Sequence, residues 1–190
     1  MVIIGGSSGI GLAIAKEVVD AGAEVTIASR SQDKLDQARR AIAGDVAART
    51  VDVSDELSVK RFFSEVGPFD HLVVSGCSIK TGPVRELSLG DARDSMDSKF
   101  WGQYMAARYA QVRPKGSITL FSGILSRRPS FGVANLAATN AAVEAMGRAL
   151  AIELAPVRVN VISPGLTDTP AYLGMSTDAR SAKFSAEAKR

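Results

Sequence analysis

A single cysteine, Cys77, stands among the 190 residues, so no internal disulfide can form; this fits a reducing cytoplasm and leaves stability to the hydrophobic core. A single histidine, His71, excludes a multi-histidine metal centre, and no metal is expected. A dominant charge is also missing. The 23 basic and 20 acidic residues leave a net +3 with the basic residues scattered, so the electrostatic footprint of a nucleic-acid binder is absent. No long hydrophobic run stands free of glycine. The apolar stretch 1–19 holds four glycines and no basic leader, which argues against a signal peptide and against a membrane span. The expectation is a soluble cytoplasmic protein that acts on a small molecule and binds neither nucleic acid nor membrane.

What is present is ordinary for a globular domain: 46% hydrophobic and 23% charged residues, with 17 glycines that imply many tight turns. The length suits one domain. Short β-branched runs at 2–4, 24–28, 48–51, 71–74, 117–121 and 158–162 alternate with helical patterns at 9–21, 32–42, 56–66, 91–112 and 132–154. Strands alternating with helices give βαβ units, and right-handed crossovers then impose an α/β fold: a Rossmann-type, doubly wound parallel sheet with helices on both faces. Ser31 and Ser54 are expected as helix N-caps, and Pro68 and Pro114 as residues just beyond helix ends. After Pro164-Gly165 the sequence turns polar and alanine-rich with no further strand. The expectation is therefore one dinucleotide-binding domain over 1–190, incomplete at its C-terminal end, with 172–190 mobile in the absence of substrate.

The chemistry starts at Gly5-Gly6-Ser7-Ser8-Gly9-Ile10-Gly11, between an apolar strand and a helical pattern. Glycine is needed there because the chain must turn tightly and bring phosphate oxygens against backbone amides at a helix N-terminus. At the end of the second strand an NAD site carries a carboxylate for the ribose 2′-hydroxyl, whereas this chain reads Ala28-Ser29-Arg30-Ser31. Arg30 suits a 2′-phosphate through its planar fork, with Ser29 as a second donor. A charge-assisted hydrogen bond contributes about 1.5–3 kcal/mol, which corresponds to roughly a tenfold to hundredfold preference for NADPH over NADH.

These motifs resemble the short-chain dehydrogenase/reductase family, and the resemblance covers nearly the whole chain. The glycine loop is similar to the family's T-G-x-x-x-G-x-G, with Ile4 in place of threonine. Asp52-Val53 resembles the acidic pair that holds adenine, and Val74-Ser75-Gly76-Cys77 stands where the family has N-N-A-G. Asn160-Val161-Ile162-Ser163-Pro164-Gly165 resembles the stretch against the nicotinamide, with Thr167 and Thr169 at carboxamide and pyrophosphate positions. The resemblance thus implies NADP(H) as cofactor.

At the catalytic positions the chain departs from the family. The family's Y-x-x-x-K aligns with Leu136-Ala137-Ala138-Thr139-Asn140, so tyrosine is replaced by leucine and lysine by asparagine. Leu136 transfers no proton; Asn140 retains the capacity to hydrogen-bond a ribose hydroxyl but carries no charge. The family serine aligns with Gly123, one step from Ser122, and the family asparagine aligns with Lys99. Lys99 and Ser122 are therefore the candidate catalytic residues, Lys99 as a replacement proton donor or an anchor for an anionic substrate. Cys77 reads as a structural thiol, Arg127-Arg128 as solvated, and His71 lacks the serine of a hydrolase triad. The expected function is an NADPH-dependent oxidoreductase on a carbonyl/alcohol pair with a non-standard active site. The alternative is a catalytically impaired NADP(H)-binding sensor, or a regulatory or assembly protein. The helical stretches 91–112 and 132–154 resemble the family's dimer-forming pair, which implies a homodimer or homotetramer.

Overall fold

The computed structural model describes residues 1–170 and 174–188. Six parallel strands form one sheet: β1 (Val2–Ile4), β2 (Val25–Ser29), β3 (Val46–Thr50), β4 (Phe69–Val74), β5 (Val112–Phe121) and β6 (Arg158–Ile162), in the order β3-β2-β1-β4-β5-β6. The helices are α1 (Gly9–Asp20), α2 (Gln32–Ala41), α3 (Glu56–Val66), α4 (Leu89–Met96), α5 (Gly102–Tyr109), α6 (Ala134–Glu153) and α7 (Thr177–Ala188). Strand order reverses between β1 and β4, and that is the point at which open α/β sheets bind ligands beyond the carboxyl ends of their strands.

The alternation of side chains along a strand divides the core in two. Val2 and Ile4 join Leu72, Val74, Ile118 and Leu120 on one face, where Val59, Phe62 and Phe63 of α3, Ala106 of α5 and Val143 of α6 cover them. Ile3 points the other way, with Val25, Ile27 and Val73, under Ala15 of α1 and Leu35 and Ala38 of α2. Both faces are buried, which is why these strands read as continuous apolar runs rather than as alternating ones.

Three local expectations are corrected. The stretch 91–112 is not one helix: a π-helical turn, Asp97–Trp101, separates α4 from α5, and β5 already begins at Val112. Pro114 consequently lies inside β5, in the segment where pairing with β4 loses its register between Phe69 and His71; a residue without an N–H is tolerated where the ladder is interrupted. Ser54 does not cap α3. Asp55 does, accepting the Leu57 amide at 3.0 Å, while Ser54 turns its amide and hydroxyl onto Asp52 Oδ1 at 3.0 and 2.6 Å. Ser31 caps α2 through the Lys34 amide. Of the segment 172–190, the stretch Thr177–Ala188 is helical, and 172–173 and 189–190 lie outside the described residues.

Candidate active site

At the carboxyl edge of the sheet an outer cavity of about 380 Å³ opens over β1 and β2, and an inner one of about 170 Å³ lies over β4 and β5. Ile10, Ser75, Gly76 and Cys77 line both.

The outer cavity is walled largely by main chain. Gly5 and Gly9 take positive φ angles of 87° and 55°, and a Cβ on Gly11 would collide with the Gly5 carbonyl. The loop thus closes tightly onto the first turn of α1 because it carries no side chains there. Ser8 is the N-cap of α1, yet its hydroxyl makes no capping bond, so donors at this helix end stay available to an anion. The chain leaving β4 crosses the end of β1, with the Ser75 and Gly76 amides both donating to the Ile4 carbonyl at 2.9 and 3.2 Å.

Of the sequence-derived cofactor residues, Gly5, Ser7, Ser8, Gly9, Ile10, Gly11, Ser29, Arg30, Val53, Ser75, Gly76 and Thr169 line the outer cavity. Pro164 lines the inner one. Asp52, Asn140, Gly165 and Thr167 line neither. Burial pushes the Asp52 carboxyl up, but the Ser54 hydroxyl and amide, with Arg30 nearby, outweigh it and hold the group below its usual pKa. Thr167 spends its hydroxyl on the Gly165 carbonyl at 3.2 Å. Asn140 is 1% exposed; its Nδ2 donates to the Gly123 carbonyl at 3.2 Å, while its Oδ1 is buried without a partner.

Sequence reasoning missed Lys34, whose side chain lines the outer cavity with that of Arg30. The available signal was its place in the first turn of the helix after β2. Arg30 is exposed and joins no salt bridge among the described residues, although its charge acts on Asp52, so two cations stand at this end of the cavity.

The inner cavity is built from side chains. Lys99, in the π-helical turn, is 7% exposed and lines it, donating from Nζ to the Ser122 carbonyl at 2.9 Å. Burial lowers the pKa of this ammonium, and Cys77 opposes the shift. Cys77 is exposed and lines both cavities, which corrects its reading as a buried structural thiol. Its thiol is raised by burial and pulled back by Lys99.

Gln103, one turn after Lys99 and also missed, bonds from Nε2 to the Lys99 and Phe121 carbonyls at 3.0 Å each and accepts the Phe121 amide at 2.8 Å. It stitches the π turn to the end of β5. The Ser122 hydroxyl donates to Glu144 Oε1 at 2.7 Å and lies 3.2 Å from the Asn140 carbonyl. Gly123 leaves room that Asn140 uses: a Cβ there would stand 2.9 Å from Asn140 Nδ2. Leu136 is half-buried in the first turn of α6.

A family model described as enoyl-(acyl carrier protein) reductase matches residues 5–189. A short-chain dehydrogenase/reductase of Stachybotrys chlorohalonatus is 34% identical over 189 residues, covering 90% of this chain and 75% of that protein. Among solved structures, a small-chain dehydrogenase in complex with NADPH is 40% identical with a TM-score of 0.76, over 96% of this chain and 77% of that one. A reductase/Diels-Alderase from Malbranchea aurantiaca, at 27% identity, superposes with a TM-score of 0.86 over 97% and 78% of the two chains. The chain belongs to the short-chain dehydrogenase/reductase family of oxidoreductases, and its sheet is the Rossmann fold of that family. No helix among the described residues is long and apolar enough to cross a membrane.

Proposed function

We propose that this protein is an NADP(H)-dependent oxidoreductase acting on a carbonyl/alcohol pair, in which Lys99 does the proton work that tyrosine does elsewhere in the family. The observation that carries this reading is the buried Lys99 ammonium lining the inner cavity, against the wall shared with the outer one. Bound NADPH supplies a hydride. Arg30, Lys34 and Ser29 hold its 2′-phosphate, which favours it over NADH. The amides and hydroxyls from Ser7 to Ile10, with Thr169, take the pyrophosphate, and Val53 and Asp52 flank the adenine. Asn140, whose buried Oδ1 has no partner, lines neither cavity, so it would meet a ribose hydroxyl only after the wall in front of it moves. Gly165 and Thr167, outside both cavities, serve only to shape the segment that brings Thr169 to the cavity wall. Ser75, Gly76 and Pro164 line the inner cavity together with Lys99. A group whose charged form is disfavoured by burial gives up its proton readily, which suits a general acid.

The test is NADPH oxidation over a panel of ketones and aldehydes, beside a fluorescence titration of the cofactor. Lys99→Met keeps the apolar stem and removes the amine. Turnover is expected to fall roughly a hundredfold or more with NADPH affinity unchanged. A rise in KM alone would make Lys99 a substrate anchor, and unchanged kinetics would make it structural.

One observation favours a second reading, an NADP(H)-binding sensor or regulatory protein. Leu136 has no proton to transfer, and the Ser122 hydroxyl is already given to Glu144. Tight NADPH binding without turnover of any carbonyl would select it. In either case a homodimer or homotetramer suits the exposed edge-to-face pair of Trp101 and Tyr104, 46% and 36% exposed beside α6, and light scattering measures it.

A further inference from the structure

We infer that Glu144 is the positioning residue of this site: by capturing the Ser122 hydroxyl it fixes the carbonyl that holds Lys99, so Ser122 serves through its main chain and not as a proton donor. The inference rests on the reading of Lys99 as the working group, but its geometry stands without it.

Glu144 lies four residues after Asn140, on the same side of α6, and its side chain is only 15% exposed. A single oxygen, Oε1, accepts both the Ser122 hydroxyl at 2.7 Å and the Ser126 hydroxyl at 2.6 Å. Ser122 has one hydroxyl proton, and its two acceptors within reach, Glu144 and the Asn140 carbonyl, both belong to α6. The carboxylate is the nearer and, being charged, the stronger acceptor. Nothing is left to donate into the inner cavity.

The rest of Ser122 is equally committed. Its amide donates to Ile162 of β6 at 2.8 Å, and its carbonyl receives Lys99 Nζ at 2.9 Å. Residue 122 is thus held from β6 through its amide and from α6 through its hydroxyl, and the one group it presents to the site is an oxygen that aims the ammonium. An ammonium carries three N–H donors. Among the described residues one is satisfied by Ser122, leaving donors for a substrate oxygen. The Ser126 hydroxyl, despite partial burial, helps hold Glu144 below the usual carboxylate range, so the clasp is ionised at neutral pH.

Competitive labelling of Lys99 with acetic anhydride across pH, read by mass spectrometry on the cofactor-free protein, tests this without any substrate or turnover. In Ser122→Ala and Glu144→Ala the released lysine is expected to escape toward solvent, and its labelling midpoint to rise toward that of ordinary lysines. Glu144→Gln keeps an oxygen acceptor for both hydroxyls, so its midpoint is expected to stay with the parent. Through-space charge predicts the opposite: loss of the carboxylate would lower the midpoint in Glu144→Ala and Glu144→Gln alike and leave Ser122→Ala near the parent. That pattern, or unchanged midpoints in folded alanine variants, overturns the clasp. Failure of the reductase reading alone would leave these shifts in place and show only in the carbonyl panel.

Discussion

The two cavities share a wall, yet the outer one is made by backbone and the inner one by side chains. The outer depends on the glycine loop, two positive φ angles and a helix end whose cap leaves donors free. The inner depends on Lys99, Gln103, Ser122 and Glu144, joined across separations of 18 to 23 residues. A backbone site fails abruptly, because a single Cβ removes the space. A side-chain site fails by degrees, because other groups can reorient around a loss. The departures that the resemblance marks at the catalytic positions, Lys99, Gly123, Leu136 and Asn140, lie toward the second side, whereas Ile4 in place of threonine lines the first. On the proposed function, binding and reaction would then be built from separable parts of the same sheet edge.

The largest effect should come from the backbone side. Gly11→Ala places a methyl against the Gly5 carbonyl, which cannot retreat without displacing the loop. NADPH affinity is expected to fall about a hundredfold or more, since one or two lost main-chain hydrogen bonds to phosphate, each worth about 1.5–3 kcal/mol, suffice for that. Isothermal titration measures it. Near-parent affinity would break the distinction between the two cavities.

Next comes cofactor choice. Arg30→Ala is expected to reduce the NADPH preference about tenfold while Lys34 remains, and Arg30→Ala with Lys34→Ala to remove it, because one charge-assisted bond is worth about 1.5–3 kcal/mol. Paired titrations with NADPH and NADH give the ratio. A double variant that still prefers NADPH would move phosphate recognition elsewhere.

A smaller effect sharpens the side-chain half. Gly123→Ser writes the family serine back into the chain, but its Cβ lands 2.9 Å from Asn140 Nδ2. Overpacking of this kind costs about 1–3 kcal/mol. Denaturant melts should show that cost in Gly123→Ser and much of it recovered in Gly123→Ser with Asn140→Ala, a coupling typical of touching residues. Additive losses would mean that the two positions are independent.

The smallest concerns pH. The Glu144 pKa is lowered in the folded chain, chiefly by the Ser126 hydroxyl, so the unfolded chain binds more protons as the carboxylate range is entered. The stability it contributes is present above the unfolded carboxylate pKa and is lost as pH falls through the lower folded value. Urea melts from neutral pH downward should steepen in that window for the parent and flatten in Glu144→Gln. Parallel curves would remove Glu144 from the account of acid stability.

Legibility in the sequence divides along the same line. The glycine loop, the strand runs and the place of Arg30 at the cavity were readable because each depends on neighbours in the chain: φ angles, strand alternation, and the residue at the end of β2. Ser31 as a cap is of the same kind. Ser54 was not, because Asp55 beside it offers a competing cap and Asp52 a competing acceptor. The stretch 91–112 misled because a single helical period was fitted across a π-helical turn, which inserts a residue and rotates the helix beyond it.

The sequence by itself determined the doubly wound sheet and the place of the cofactor cavity, because hydrophobic period and glycine geometry are local properties. Only the tertiary structure decided where Lys99, Ser122 and Asn140 stand and what they bond to. Lys99 is buried because the π-helical turn packs against the end of β5 and Gln103 ties the two together. Ser122 commits its hydroxyl hydrogen bond to a helix that begins a dozen residues later, and Asn140 fills the space that Gly123 leaves. Each of these outcomes is a competition for hydrogen bonds between groups far apart in the chain, and it is settled only when the helices dock on the sheet.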